Sequence, residues 1–313
     1  LANDNMITAQ AKRLFPIIGI GGFLGQILGL LISGTTVRLF ERLNISTVEL
    51  LLFNAAAYLL AVFVLRRIKL VRQQAGQQAE GLRQTLSEGW GFVKEVASFR
   101  YLMLSMIAMG LVLTIIEFYF LVVSGATFTD SNSFQIFYSF YRLSIIIFSI
   151  LMQSLLTSRL IERIGLRSVF LIVPTAMMAS LIGMMAMPGI ITAAVGRGLS
   201  RLPFATIDES ARKAFQGLVP ESRRGRVSMF MDSYLYALGT IIGSIILALI
   251  IYISPQFNFE NYYYIYLGVA IAFTAFALWT LIKLRNVYEN SLLNWRLKRQ
   301  RQKRGGVFDK LDF

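Results

Sequence analysis

Eight stretches of this chain, roughly 14–34, 47–66, 101–123, 133–157, 168–187, 189–212, 227–253 and 262–284, are apolar over about 20 residues or more each. At 1.5 Å of rise per residue, about 20 helical residues cross the ~30 Å hydrocarbon core of a bilayer. Hydrophobic residues make up 56% of the 313 positions and charged residues 15%, against about 25% charge in a soluble domain. The expected fold is therefore all-α: a polytopic membrane protein with eight transmembrane helices and the lipid bilayer as its solvent. Residues 1–11 lack the basic, apolar and small-residue succession of a cleaved signal.

The net charge of +14 would by itself invite a nucleic-acid reading. Its distribution argues otherwise. Of the 31 Lys and Arg, two precede the first span, seven lie in 66–100, three in 159–167, five in 212–226 and nine from Lys283 onward. The intervening loops 124–132, 187–190 and 254–261 carry none, and only Arg38 and Arg42 occupy the remaining one. Basic residues gather in cytoplasmic flanks, so both ends of the chain are expected in the cytoplasm, and no nucleic-acid partner is expected. The tail with Arg296, Lys298, Arg299, Arg301, Lys303 and Arg304 is expected to touch anionic lipid, each residue contributing about 1 kcal/mol near the surface.

The chain has no Cys and no His. Thiol nucleophiles, imidazole bases and His/Cys metal sites are thereby excluded. The remaining acids are interspersed with basic residues rather than paired as a catalytic dyad. No enzymatic activity, metal or cofactor is expected.

Leu24-Gly25-Gln26-Ile27-Leu28-Gly29 returns 214 positions later as Leu238-Gly239-Thr240-Ile241-Ile242-Gly243. At the same offset Lys12 maps onto Arg226 and Lys69 onto Lys283. Internal repeats underlie many secondary transporters. If the second copy is the fifth and sixth helix of a six-helix half, the first ends an earlier half, and four helices are expected upstream of Leu1. The organisation is then 1–66 as the last two helices of one bundle, 67–100 as a linker, 101–285 as a complete six-helix bundle and 286–313 as a basic tail. Within the linker, Leu82, Leu86, Trp90, Val93 and Ala97 recur at three- and four-residue spacing. That pattern fits an amphipathic helix, either at the membrane surface or packed on the protein. Gly21, Gly25 and Gly29, like Gly239 and Gly243, recur every four residues, and such glycines let helices approach closely.

Ionisable side chains at bilayer depth cost at least about 2.5–3.5 kcal/mol on insertion scales and normally face a cavity or a partner. Glu117 lies roughly 24 Å up the third span and Arg142 roughly 15 Å down the fourth; these matching depths predict that the two pair or share a cavity. Arg197 and Arg201, four apart on the sixth span, would offer two guanidiniums to a phosphate or carboxylate, or would neutralise Asp208, Glu209 and Asp232. Asp208 with Arg212 and Glu209 with Lys213 are i,i+4 pairs, for which a structural or gating role is expected.

Ser158-Arg159-Leu160-Ile161-Glu162-Arg163-Ile164-Gly165-Leu166-Arg167 resembles the G-x-x-x-D-R-x-G-x-R loop of the major facilitator superfamily, with Ser158 for the glycine and Glu162 for the aspartate. Leu218-Val219-Pro220-Glu221-Ser222-Arg223-Arg224-Gly225-Arg226 looks like that family's basic loop between its tenth and eleventh helices. The resemblance implies that the eight spans are helices 5–12 of a twelve-helix fold. It also implies that the loop is a cytoplasmic gate whose acid contacts the stretch around Lys12 and Arg13. Ala11-Lys12-Arg13-Leu14-Phe15-Pro16-Ile17-Ile18-Gly19 is similar to the fifth-helix entry of the ATP/ADP translocase (nucleotide transporter) group, which implies nucleotide exchange in a bacterial inner (plasma) membrane. The expected function is thus secondary active transport of a small organic anion by alternating access. Arg142, Arg197, Arg201 and Glu117 are the expected substrate residues, and Glu162, Arg163, Arg167, Asp208 and Asp232 the gate or coupling residues. A transporter-derived sensor or scaffold holding a soluble partner is the alternative.

Overall fold

The computed structural model describes residues 25–31, 50–67, 82–216, 219, 221–254 and 261–308. Expectations placed on Lys12, Arg13, Gly21, Arg38, Arg42 and Lys69, and on the side chains of the basic tail, lie outside what is described. Among the described residues the regular elements are helices, with no strand.

Among the described residues five helices are long and apolar enough to cross a membrane: Ala97–Thr127, Ser131–Ile164, Leu166–Ala186, Gly225–Ile253 and Tyr263–Tyr288. They coincide with five of the eight expected spans, and they fit a membrane protein. Of the other three, the first is described only over 25–31, where it is helical. The second is the 18-residue helix α1, Leu50–Arg67. The third, 189–212, is helical but is not among the five: Arg197 and Arg201, followed by Asp208, Glu209 and Arg212, dilute its apolar character.

The chain falls into two compact units, Leu1–Glu80 with Gly125–Phe148 and Gly81–Ser124 with Ser149–Phe313. In the first, α1 presents Leu52, Tyr58, Leu59, Leu60, Phe63 and Val64 outward, an apolar surface suited to lipid. Before α4, Ser131–Met152, Asp130 acts as the cap: the Ser133 backbone N–H donates to its Oδ2 at 2.8 Å, satisfying an orphan donor of the first turn. Hydrogen bonds from Ser133, backbone first, hold the Asp130 carboxyl below the usual aspartate range. Phe128 stacks on Phe137 at 4.5 Å and Phe137 on Tyr141 at 6.1 Å.

The second unit is organised on α3, Ala97–Thr127, whose Leu102, Met109, Leu111, Val112, Ile115, Ile116 and Phe120 are essentially inaccessible. Without a strong hydrophobic force between helices in lipid, close packing through small residues takes over. The glycine pattern shows how. A Cβ at Gly239 would run into the Ile107 carbonyl oxygen, and one at Gly243 would lie 3.1 Å from that of Leu111. The helix carrying them, α11, Tyr236–Ile253, therefore approaches the α3 backbone directly, while Leu238, Ile241, Ile245 and Leu249 face outward. Gly25 and Gly29, the counterparts in the first copy of the repeat, have nothing within 4 Å of a Cβ among the described residues.

Helix α2, Leu82–Glu95, packs on α10, Glu221–Met229, and buries Phe92 and Val93 while Trp90 stays exposed. Val93 of the expected stripe thus packs on the protein, while Trp90 of the same stripe is exposed. Gly89 permits that packing, since a Cβ there would collide with the Phe230 ring. Val96 alone separates α2 from α3. An aromatic knot ties this end together: Phe99 lies 4.9 Å from Phe92 and 4.5 Å from Phe215, which also meets Phe170 and Tyr288.

After α4, a π-helical turn at Gln153–Thr157 leads into α5, Ser158–Ile164. Gly165, with φ of 79°, reverses the path in a conformation glycine adopts without steric cost. Helices α6, Leu166–Val169, and α7, Ile172–Ala186, follow, and α7 packs against both α8, Ile190–Pro203, and α12, Tyr263–Phe308.

Candidate functional site

Two helices near the site residues depart from α-helical geometry. Pro203 ends α8; lacking an N–H, it leaves the carbonyl four residues earlier without its usual donor. A π-helical turn follows at Phe204–Asp208 and continues into α9, Glu209–Gln216. A second such turn, Phe230–Leu235, precedes α11 and carries Asp232. Turns of this kind are rare and recur at functional sites.

Glu117 on α3 and Arg197 on α8 form a two-pronged pair. Arg197 Nε donates to Oε2 at 2.5 Å and Nη2 to Oε1 at 2.6 Å, the planar fork matching the carboxylate. The guanidinium also lies 4.5 Å over the Phe120 ring. The Arg197 side chain is 12% exposed and that of Glu117 38%. Next to the arginine, α8 packs against α7, and a Cβ at Gly196 would meet only the movable end of the Met184 side chain, 2.5 Å from Cε.

One turn on, Arg201 is exposed, and its Nη1 donates to the Tyr236 hydroxyl at 3.3 Å. No carboxylate pairs with it among the described residues. Tyr236 in turn lies 5.6 Å from the Phe204 ring.

Further along, Arg212 is buried and shared by two acids. Its Nε donates to Asp208 Oδ2 at 2.6 Å and its Nη1 to Asp232 Oδ1 at 2.7 Å, with the Phe204 ring 5.5 Å away. Lys213 and Glu209 pair at 2.5 Å on the surface, an exposed contact that contributes only about 0.3–0.5 kcal/mol. Gln153 Nε2 donates to Ser210 Oγ at 3.1 Å, joining α9 to the turn after α4.

Both expected i,i+4 pairs are present, and Asp232 joins the first through Arg212. Among the described residues the acids of this cluster thus pair with Arg212 and Lys213, not with Arg197 and Arg201. Glu117 takes Arg197 as its partner. Arg142 belongs to the first unit, where it is exposed and lies 5.8 Å over the ring of Tyr138 on its own helix. Glu162, Arg163 and Arg167 are exposed on either side of Gly165, and the residues expected to meet that loop fall outside the described chain.

Tyr236, Phe120 and Phe204 were not expected at the site. Tyr236 stands just past the π-helical turn that carries Asp232, and the sequence offered no spacing signal for it. Among the described residues no three His, Cys, Asp or Glu side chains are grouped to hold a metal ion. Compared with protein-family models, curated proteins and solved structures, the chain matches none.

Proposed function

We propose that this chain is part of a secondary transporter for a small organic anion, working by alternating access. The observation that carries the reading is the Glu117–Arg197 pair. A charged fork held between two predominantly apolar helices is costly to keep in a membrane protein, and here the carboxylate engaging it belongs to the protein itself. Glu117 fills the position that a substrate carboxylate or phosphate would take, with Arg201 one turn away and held, among the described residues, by a neutral hydroxyl. Releasing Glu117 from Arg197 and replacing it by substrate is the step at which the site would load.

The resemblance to the major facilitator superfamily extends this reading. On it, the spans are helices 5–12 of twelve, with cytoplasmic ends in a bacterial inner membrane. Glu162, Arg163 and Arg167 form the gate, and nucleotides are the first substrates to try. The rival scaffold reading needs an available partner surface. On α2, Phe92 and Val93 are already spent on packing, while Trp90 is exposed.

Thermal unfolding of the full-length protein in lipid nanodiscs, with ATP, ADP, a dicarboxylate or inorganic phosphate added, tests the anion site. A ligand at 100 times its dissociation constant stabilises by about 2.7 kcal/mol. One of these anions should raise the transition temperature, and Arg197→Gln should abolish the rise. If none of them does so, and a soluble protein co-purifies in stable proportion, the scaffold reading replaces this one.

A further inference from the structure

The cluster around Arg212 is not charge-balanced. Asp208 and Asp232 contribute two negative charges and Arg212 one positive, while Glu209 and Lys213 cancel each other. One negative charge is left over at a residue that is 1% exposed. Independently, the second carboxylate oxygen of Asp208, Oδ1, is enclosed by protein and accepts no hydrogen bond from any described residue. A buried, unpartnered carboxylate oxygen is expensive.

We propose that Asp208 is a proton-binding site: a proton from water adds to its carboxylate, turning it into the acid and bringing the Asp208–Arg212–Asp232 cluster from −1 to zero. The groups that face it are few. The turn Phe204–Asp208 packs against α7, α8, α9 and the turn Gln153–Thr157. Helix α7 and that turn carry no ionisable side chain. From α8 come Arg197 and Arg201, engaged by Glu117 and Tyr236; from α9 come Glu209, Arg212 and Lys213; Asp232 comes from the turn before α11. The Asp232 side chain is 37% exposed, so the cluster opens to the protein surface on its side. A metal cation in place of the proton would need a shell of oxygens, and among the described residues no three acidic side chains provide one.

Protonation would also change the wiring. A neutral Asp208 holds Arg212 less strongly, leaving Asp232 as its main partner and loosening the link between the two π-helical turns. That the proton is the coupling ion rests on the transport reading; that it binds does not.

Infrared difference spectroscopy of the full-length protein in lipid, acidified from neutral pH, uses the proton itself as probe. A protonated-carboxyl C=O band should grow and shift in D2O, and Asp208→Asn should remove it. Asp232→Asn removes the surplus charge, so the band should fall about tenfold at a given pH, the effect of a shift of one unit in proton affinity. A role for the cluster in packing alone would leave the band unmoved by that second substitution. An unchanged band in Asp208→Asn, or in Asp232→Asn where the first variant does not fold, overturns the proton site while anion binding can still uphold transport. A band that behaves as expected in a protein binding none of the anions upholds the proton site and ends the transport reading.

Discussion

Replacing Glu117 by glutamine removes the negative charge that occupies the Arg197 fork and leaves the side-chain shape almost unchanged. With the two charge centres about 4 Å apart, the attraction is worth about 4 kcal/mol at an effective dielectric constant of 20 and about 1 kcal/mol in water. Glu117 is 38% exposed while Arg197 is 12% exposed, so solvent screening pulls the net value toward the lower end, about 1–2 kcal/mol. A substrate carboxylate or phosphate that takes over Arg197 must first displace Glu117 at that cost. In Glu117→Gln it need not, and at 1.36 kcal/mol per factor of ten the anion should bind about five- to thirtyfold more tightly. Isothermal titration of the full-length wild-type and variant proteins in nanodiscs, with the anion that gives thermal stabilisation, measures the ratio. Unchanged or weaker affinity in a folded Glu117→Gln protein would refute the idea that Glu117 stands in for the substrate.

Other outcomes follow from the packing and the charges. Gly239→Ala should destabilise the second unit by about 1–3 kcal/mol in a thermal unfolding assay, because a methyl there collides with the Ile107 carbonyl. Arg212→Gln leaves Asp208 and Asp232 facing each other without their shared cation and should cost about 3–5 kcal/mol, read as loss of folded protein in size-exclusion profiles. Asp130 has a folded-state pKa below its ordinary value because the Ser133 hydrogen bonds favour the carboxylate. Its contribution is therefore complete above the unfolded value, about 3.9, and is lost as pH falls through the lower folded value. A carboxyl 13C NMR titration should place its midpoint below that of a model aspartate, and Asp130→Ala should fray the start of α4.

Much of this arrangement is legible in the sequence because helix periodicity is local. The five apolar helices, the Asp208–Arg212 and Glu209–Lys213 pairs and the Gly239–Gly243 seam all follow from spacings of three and four or from apolar length. What spacing cannot supply is rotation about a helix axis. Matching depths suggested that Glu117 and Arg142 pair or share a cavity, but depth carries no information on which helix a side chain turns to: Glu117 engages Arg197, 80 positions away in sequence. Spacing likewise leaves open whether the apolar stripe of α2 meets lipid or protein: Gly89 lets the helix close onto Phe230, burying Val93 of the stripe and its neighbour Phe92 while Trp90 stays exposed. The π-helical turns shift the register of everything beyond them by one residue, which a fixed 3.6-residue period does not anticipate. Tyr236, the hydrogen-bond partner of Arg201, sits just past one of them.

The most direct test of the account is uptake of radiolabelled ATP, ADP, a dicarboxylate and phosphate into proteoliposomes containing the full-length protein, comparing wild type with Arg197→Gln. Saturable uptake of one of these anions by the wild-type protein, lost in the variant while its fold is retained, is the predicted result. No uptake of any of them by folded wild-type protein, or uptake that Arg197→Gln leaves unchanged, would contradict a transport site built on Arg197.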